Sequence, residues 1–176
     1  MAIGALDGSV SMNIFCCNIE ADLSVNDGLM IGSLENNADI SIKNSSVKFK
    51  GSGMILSCIG SVHGKKAEIK LAECGFSADI GGNNSTCLGS LYGSSDIRVD
   101  FLTLRITNSG QEALAFGGYD PDTVVALINT DTNSSVKTAL GKDTFAPPEN
   151  FRVVNGRQVF MVNDYEVPRE VTVEYK

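Results

Sequence analysis

Five short segments recur at a nearly constant interval: Ile3-Gly4-Ala5-Leu6, Ile31-Gly32-Ser33-Leu34, Ile59-Gly60-Ser61-Val62, Leu88-Gly89-Ser90-Leu91 and Phe116-Gly117-Gly118-Tyr119. Their first residues, 3, 31, 59, 88 and 116, are 28, 28, 29 and 28 apart. Later positions in each unit keep their character as well. Nine and eleven residues on stand Met12 and Ile14, Ile40 and Ile42, Ile97 and Val99, and Val125 and Leu127. The third unit supplies Ile69 and Leu71 one place late, which puts its extra residue in the turn from Val62 to Ala67. A short motif alone could recur without structural cause; a motif followed by matching apolar positions marks a repeat architecture.

The units are built of strands. A second alternating stretch follows the first, with Ile19, Ala21 and Leu23, then Val47 and Phe49, then Phe76, Ala78 and Ile80, then Leu104 and Ile106. Its period is two, so alternate side chains share one face. Gly and Asn clusters close these stretches at Gly51-Ser52-Gly53, Gly81-Gly82-Asn83-Asn84 and Asn108-Ser109-Gly110, because both residue types tolerate positive φ. Each unit reads as strand, bend, strand, turn, and a short third strand entering the next Ile-Gly. A single unit has one face to bury and no core of its own. Stacking units about 4.8 Å apart pairs each strand in parallel with its counterparts and piles the inward residues into columns. At about six apolar side chains per coil and roughly 2 kcal/mol each, those columns are the leading stabilising contribution before chain entropy.

The expected fold is therefore all-β: a right-handed parallel β-helix, or solenoid, of about five 28-residue coils over residues 1–143. Right-handedness follows from the chirality of parallel crossovers. The alternative is a pair of packed antiparallel sheets, which would need no constant period. Past Asp143 the repeat stops. Pro147-Pro148 interrupts the chain, and Phe151–Val154, Asn155-Gly156 and Arg157–Val162 read as a β-hairpin, with a last strand at Glu170–Tyr175. Residues 144–176 are expected to cap the last coil or to open a following module. The first unit begins at Ile3 with no capping element ahead of it, leaving a coil edge open to pairing and to end-to-end self-association. Met1 is expected to head a segment of a longer chain, so the lack of a signal peptide says little about location.

The cysteines follow the repeat. Cys58 and Cys87 each precede an Ile/Leu-Gly-Ser start, where Met30 and Ala115 stand in other units; Cys17 and Cys74 share a column with Ser45, Leu102 and Thr130. Five cysteines are odd in number and show no C-x-x-C spacing. They read as buried thiols acting as small hydrophobes, with a Cys58–Cys87 disulfide as the alternative; Cys16 should face the other way or fill the corner.

The net charge of -7 disfavours a nucleic-acid partner, and no run of about 18 apolar residues is present for membrane insertion. The outward positions of the second strand carry Glu20, Asp22, Lys48, Lys50, Asp79 and Arg105. Alternating signs predict cross-strand pairs, Glu20 with Lys48 and Lys50 between Asp22 and Asp79, worth a few tenths of a kcal/mol. The functional reading of the same residues is a polar face of Lys48, Lys50, Asp79 and Arg105, with Lys70 and Arg98 on the first strand, that grips a glycan without an aromatic platform. Asp120, Asp122 and Asp131, with Asn129 and Asn133, are candidate calcium ligands and equally ordinary turn residues. The single His63 reads as a solvated turn residue, so a Ser–His–Asp triad has no support. Catalytic residues are not expected, although a β-helix polysaccharide lyase working through Lys or Arg and calcium is the alternative. No Gly-rich loop leads into a helix to hold phosphate, and the mixed outward columns do not fit an ice-binding ladder.

From Ile3 to about Ala139 the pattern resembles the Gly-rich repeats of large surface proteins of anaerobic gut bacteria. The shared positions are the Ile-Gly-Ser starts, the Asp/Glu-Ile pairs such as Asp39-Ile40 and Asp96-Ile97, and the glycines that follow the second strand. This chain has fewer glycines after the first strand and places Cys in its columns. The resemblance implies a secreted, cell-surface β-helix with a stalk, adhesive or carbohydrate-binding role, and it assigns no residue to catalysis.

Overall fold

A computed structural model of the chain describes residues 3–100, 103–118 and 120, together with the strands Thr123–Ile128, Ser135–Thr138, Phe151–Val154, Arg157–Phe160 and Thr172–Tyr175. Strands β1–β16 are numbered along the chain, and those in the repeat region pair in parallel with their equivalents one unit away. Each coil presents three faces. The first is a five-stranded sheet of β2 (Val10–Phe15), β5 (Ala38–Lys43), β7 (Lys66–Ala72), β9 (Ser94–Asp100) and β12 (Thr123–Ile128). The second holds β3 (Asn18–Ser24), the first halves of β6 (Ser46–Ser61) and β8 (Gly75–Ser90), then β10 (Thr103–Asn108), β13 (Ser135–Thr138) and β16 (Thr172–Tyr175). The third holds β1 (Ile3–Ala5), β4 (Asp27–Ser33), the second halves of β6 and β8, and β11 (Glu112–Phe116).

The register is the one the repeat dictates. Met12 pairs with Ile40, Ile40 with Ile69, Ile69 with Ile97 and Ile97 with Val125. The step is 28 residues from Ser33 to Ser61 and 29 from Ala38 to Ala67, so the third unit's extra residue lies in the turn the spacing predicted. Inside, column members compensate one another in volume. Phe49 is stacked between Ala21 and Ala78, and its ring meets Phe76 of the next coil edge-on, with centroids 6.0 Å apart and planes at 77°. Ile40, Ile69 and Ile97 are fully buried.

Two local devices turn the chain. Between the first and second faces, Cys16, Asn44 and Glu73 adopt φ of 53°, 51° and 53°. The residue after each, Cys17, Ser45 or Cys74, donates its side-chain hydrogen to the carbonyl two residues back, on Phe15, Lys43 or Ala72. This explains why Cys and Ser interchange at these three corners: each supplies a short side chain with a donor. Between the third face and the first, Gly4, Gly32, Gly60 and Gly89 hold φ of 134° to 139°, a conformation essentially restricted to glycine. A Cβ on Gly32 or Gly60 would also overlap the backbone carbonyl of the glycine one coil above. The following serines lock the bend. Ser33, Ser61 and Ser90 accept from the backbone N–H three residues on and donate to a carbonyl one coil below, on Gly8, Asn36 and Gly64.

The C-terminal hairpin pairs β14 (Phe151–Val154) with β15 (Arg157–Phe160) in antiparallel register, as the sequence predicts, and β16 extends the second face beyond β13. Among the described residues no helix is long and apolar enough to cross a membrane.

Gly60→Ala should lower stability by at least about 2 kcal/mol, since it combines a disallowed φ with a backbone overlap. Gly75→Ala, whose Cβ would meet nothing within 4 Å, should leave stability unchanged or raise it by about 0.5 kcal/mol. Urea denaturation of both variants checks the contrast, and equal losses would contradict the glycine column.

Candidate functional site

Because every outward position recurs once per coil, the surface consists of columns rather than loops around a cleft. On the second face one column runs Glu20, Lys48, Ser77, Arg105, and the next runs Asp22, Lys50, Asp79, Thr107. Glu20 and Lys48 form the predicted cross-strand pair, at 3.2 Å with both side chains largely exposed, so it contributes little in water. Lys50 shares its column with Asp22 and Asp79 without forming an ion pair to either.

The six candidate glycan-contacting residues are divided between two faces. Lys48, Lys50, Asp79 and Arg105 project from the second; Lys70 and Arg98 stand in register on β7 and β9 of the first. Arg98 there lies 3.7 Å from Asp100. Two of the four on the second face, Lys48 and Arg105, border a usable feature, and Lys50 and Asp79 stand outside it. A shallow hollow of about 140 Å³ is lined by Ser46, Lys48, Gly75, Phe76, Ser77, Thr103 and Arg105, among others. Lys48 and Arg105 stand two strand spacings apart, about 10 Å along the axis, with Ser77 between them. Ser46, Gly75 and Thr103 form the neighbouring column, and the missing side chain of Gly75 opens the floor. The arrangement offers two cations and three hydroxyls to an anionic, hydroxyl-rich ligand. A larger hollow, about 340 Å³, lies on the first face beside Ser9, Asn37, Asp39 and Lys66. The lysine of each hollow is held by an acid: Lys66 by Glu68 at 2.6 Å, which raises the lysine pKa and lowers that of the carboxylate, and Lys48 by Glu20 at 3.2 Å; the hollow over Gly75 has Arg105 as a second cation.

Of the calcium candidates, Asp122 and Asp131, like Asn129 and Asn133, lie outside the residues whose side chains are described; Asp120 is described. Among the described residues no group of three or more His, Cys, Asp or Glu side chains is placed to hold a metal ion. His63 is exposed, and its ring is stacked on Tyr92 of the next coil, centroids 5.3 Å apart and planes at 4°. The two occupy a column four residues past each repeat start, which runs Asp7, Glu35, His63, Tyr92, Asp120. Aligning that position along the repeat is the signal that finds the stack.

All five cysteines are free thiols. Cys58 and Cys87 are buried neighbours; burial, followed by the hydrogen bond and charge interaction with Cys87, pushes the Cys58 thiol well above its ordinary pKa. Cys74 is also buried and its pKa is raised by desolvation. Cys17 departs from the expected buried state: it and the corner residue Cys16 are exposed, because among the described residues no coil lies beneath them.

No protein-family model, no curated protein and no solved structure matches this chain.

Thiol accessibility follows from this geometry. In the native protein two thiols, Cys16 and Cys17, should react rapidly with an aromatic disulfide reagent, and Cys58, Cys74 and Cys87 only after denaturation. Fast reaction of more than two would contradict the burial of the columns.

Proposed function

We propose that this chain is a non-catalytic β-helix segment of an exported bacterial surface protein, serving as a rigid stalk or adhesive module that contacts acidic glycans. The observation that carries the reading is the hollow over Gly75, with Lys48 and Arg105 at its ends and Ser46, Ser77 and Thr103 within it. A solenoid face is straight and ridged, so an extended polymer can lie along it and meet cations at strand-spacing intervals. The overall charge of -7 does not oppose this locally. The first coil alone, residues 3–30, carries Asp7, Glu20, Asp22 and Asp27 with no Lys or Arg; of these Glu20 reaches Lys48, while Arg105, two coils further on, stands away from them beside the hydroxyls of the hollow. Resemblance to the Gly-rich surface repeats supports the setting: the shared positions are those that build the columns, and the face they leave outward is free to vary.

Acidic polysaccharides should bind in preference to neutral ones on a glycan array, with affinity that falls as salt rises. Lys48→Ala and Arg105→Ala should each weaken binding by about tenfold, the usual cost of a lost charged hydrogen bond. Gly75→Val should block the hollow while keeping the fold. Acidic-glycan binding that all three variants leave unchanged would sink the proposal, and release of unsaturated sugar products would replace it with a lyase.

A further inference from the structure

Strand by strand, the outward charges of the second face alternate in sign along the solenoid axis. β3 presents Glu20 and Asp22, the first half of β6 presents Lys48 and Lys50, the first half of β8 presents Asp79, and β10 presents Arg105. The other outward positions of these four stretches are uncharged. Neighbouring strands lie about 4.8 Å apart, so the two cationic strands are about 10 Å apart with an acidic one between them.

That order discriminates among acidic glycans. A pyranose ring in an extended glycan is about as long as one strand spacing. In a glycan laid along the axis, successive rings meet Lys48, then Ser77 with Asp79 beside it, then Arg105. A carboxylate on every ring sets one of them next to Asp79, where like charges repel. A carboxylate on every second ring falls on Lys48 and Arg105 alone. The uncharged ring between them then occupies the roomiest step, because Gly75 lies on the same strand as Ser77 and Asp79, and Ser77 offers that ring a hydroxyl. One step below Lys48, Glu20 again disfavours a carboxylate. Arg105 forms no ion pair among the described residues, and the Lys48–Glu20 pair is exposed enough to exchange partners.

Resting on the acidic-glycan reading above, we propose that the second face selects polysaccharides in which acidic and uncharged sugars alternate. The chain lies along the solenoid axis, with its acids on Lys48 and Arg105 and the uncharged ring over Gly75. Asp79 supplies the selectivity, by opposing chains that carry a charge on every ring.

Two octasaccharides separate this from attraction by charge alone. One is of hyaluronan, in which glucuronate alternates with N-acetylglucosamine; the other is of galacturonate, which carries twice the charge on the same number of rings. By titration calorimetry at low ionic strength, where exposed charges are least screened, the hyaluronan fragment should bind at least about tenfold more tightly. Ser77→Lys puts a cation on the middle strand and Asp79→Asn removes the acid there. Each variant, shown folded by circular dichroism, should tighten galacturonate binding by about tenfold and change hyaluronan binding by no more than about threefold. Equal or tighter binding of galacturonate by the unmodified protein would overturn the alternation while leaving the acidic-glycan reading in place. A preference for hyaluronan that neither variant reduces would overturn it as well, and failure of both fragments to bind would overturn it together with that reading.

Discussion

Hydrogen bonding between successive coils is the interaction on which everything else rests. The strands of the repeat pair with chain 28 to 30 residues away, and the turns bond over similar spans: His63 donates its backbone N–H to Leu34, Leu91 to Ser61, and Gly117 to Leu88. A coil has no sheet of its own; it becomes ordered only on a neighbour, so stability is a sum of interfaces between repeats. The glycine column shows how tight that interface is, because Gly32 and Gly60 leave no room for a Cβ between themselves and the coil above. The serines beside them tie each bend to the carbonyl below. Local turn chemistry and long-range stacking are thus the same set of bonds.

That constraint also determines what kind of surface is available. In a protein whose equivalent residues stand in lines, recognition is assembled from columns, and a site appears where the column sequence breaks. Gly75 is such a break, an empty place between Ser46 and Thr103. That feature arises from a single position of the repeat, on strands that keep their register.

Much of this was legible in the sequence because the repeat is read by period. Ile40, Ile69 and Ile97 could be assigned to one column, and the extra residue of the third unit to one turn, without knowledge of any contact. The Glu20–Lys48 pair followed from the same alignment. What escaped the reading depends on which face an outward residue joins. Lys70 and Arg98 share a sheet with each other and not with Lys48, because the corner at Asn44 and Glu73 turns the chain between them. The hollow over Gly75 depends on an absent side chain, which no periodicity marks. Ser57 is a different case: its hydroxyl is buried without a hydrogen-bond partner in a column running Leu29, Ser57, Thr86 and Leu114. Only coordinates reveal that both sides of that strand are covered.

Methyl-labelled isoleucine offers the most direct test of the stacking. Nuclear Overhauser contacts should link Ile40 to Ile69 and Ile69 to Ile97, in the order of the coils. Methyls of these three residues that contact unrelated stretches of chain instead of one another would contradict the solenoid and, with it, the columns from which the hollow over Gly75 is built.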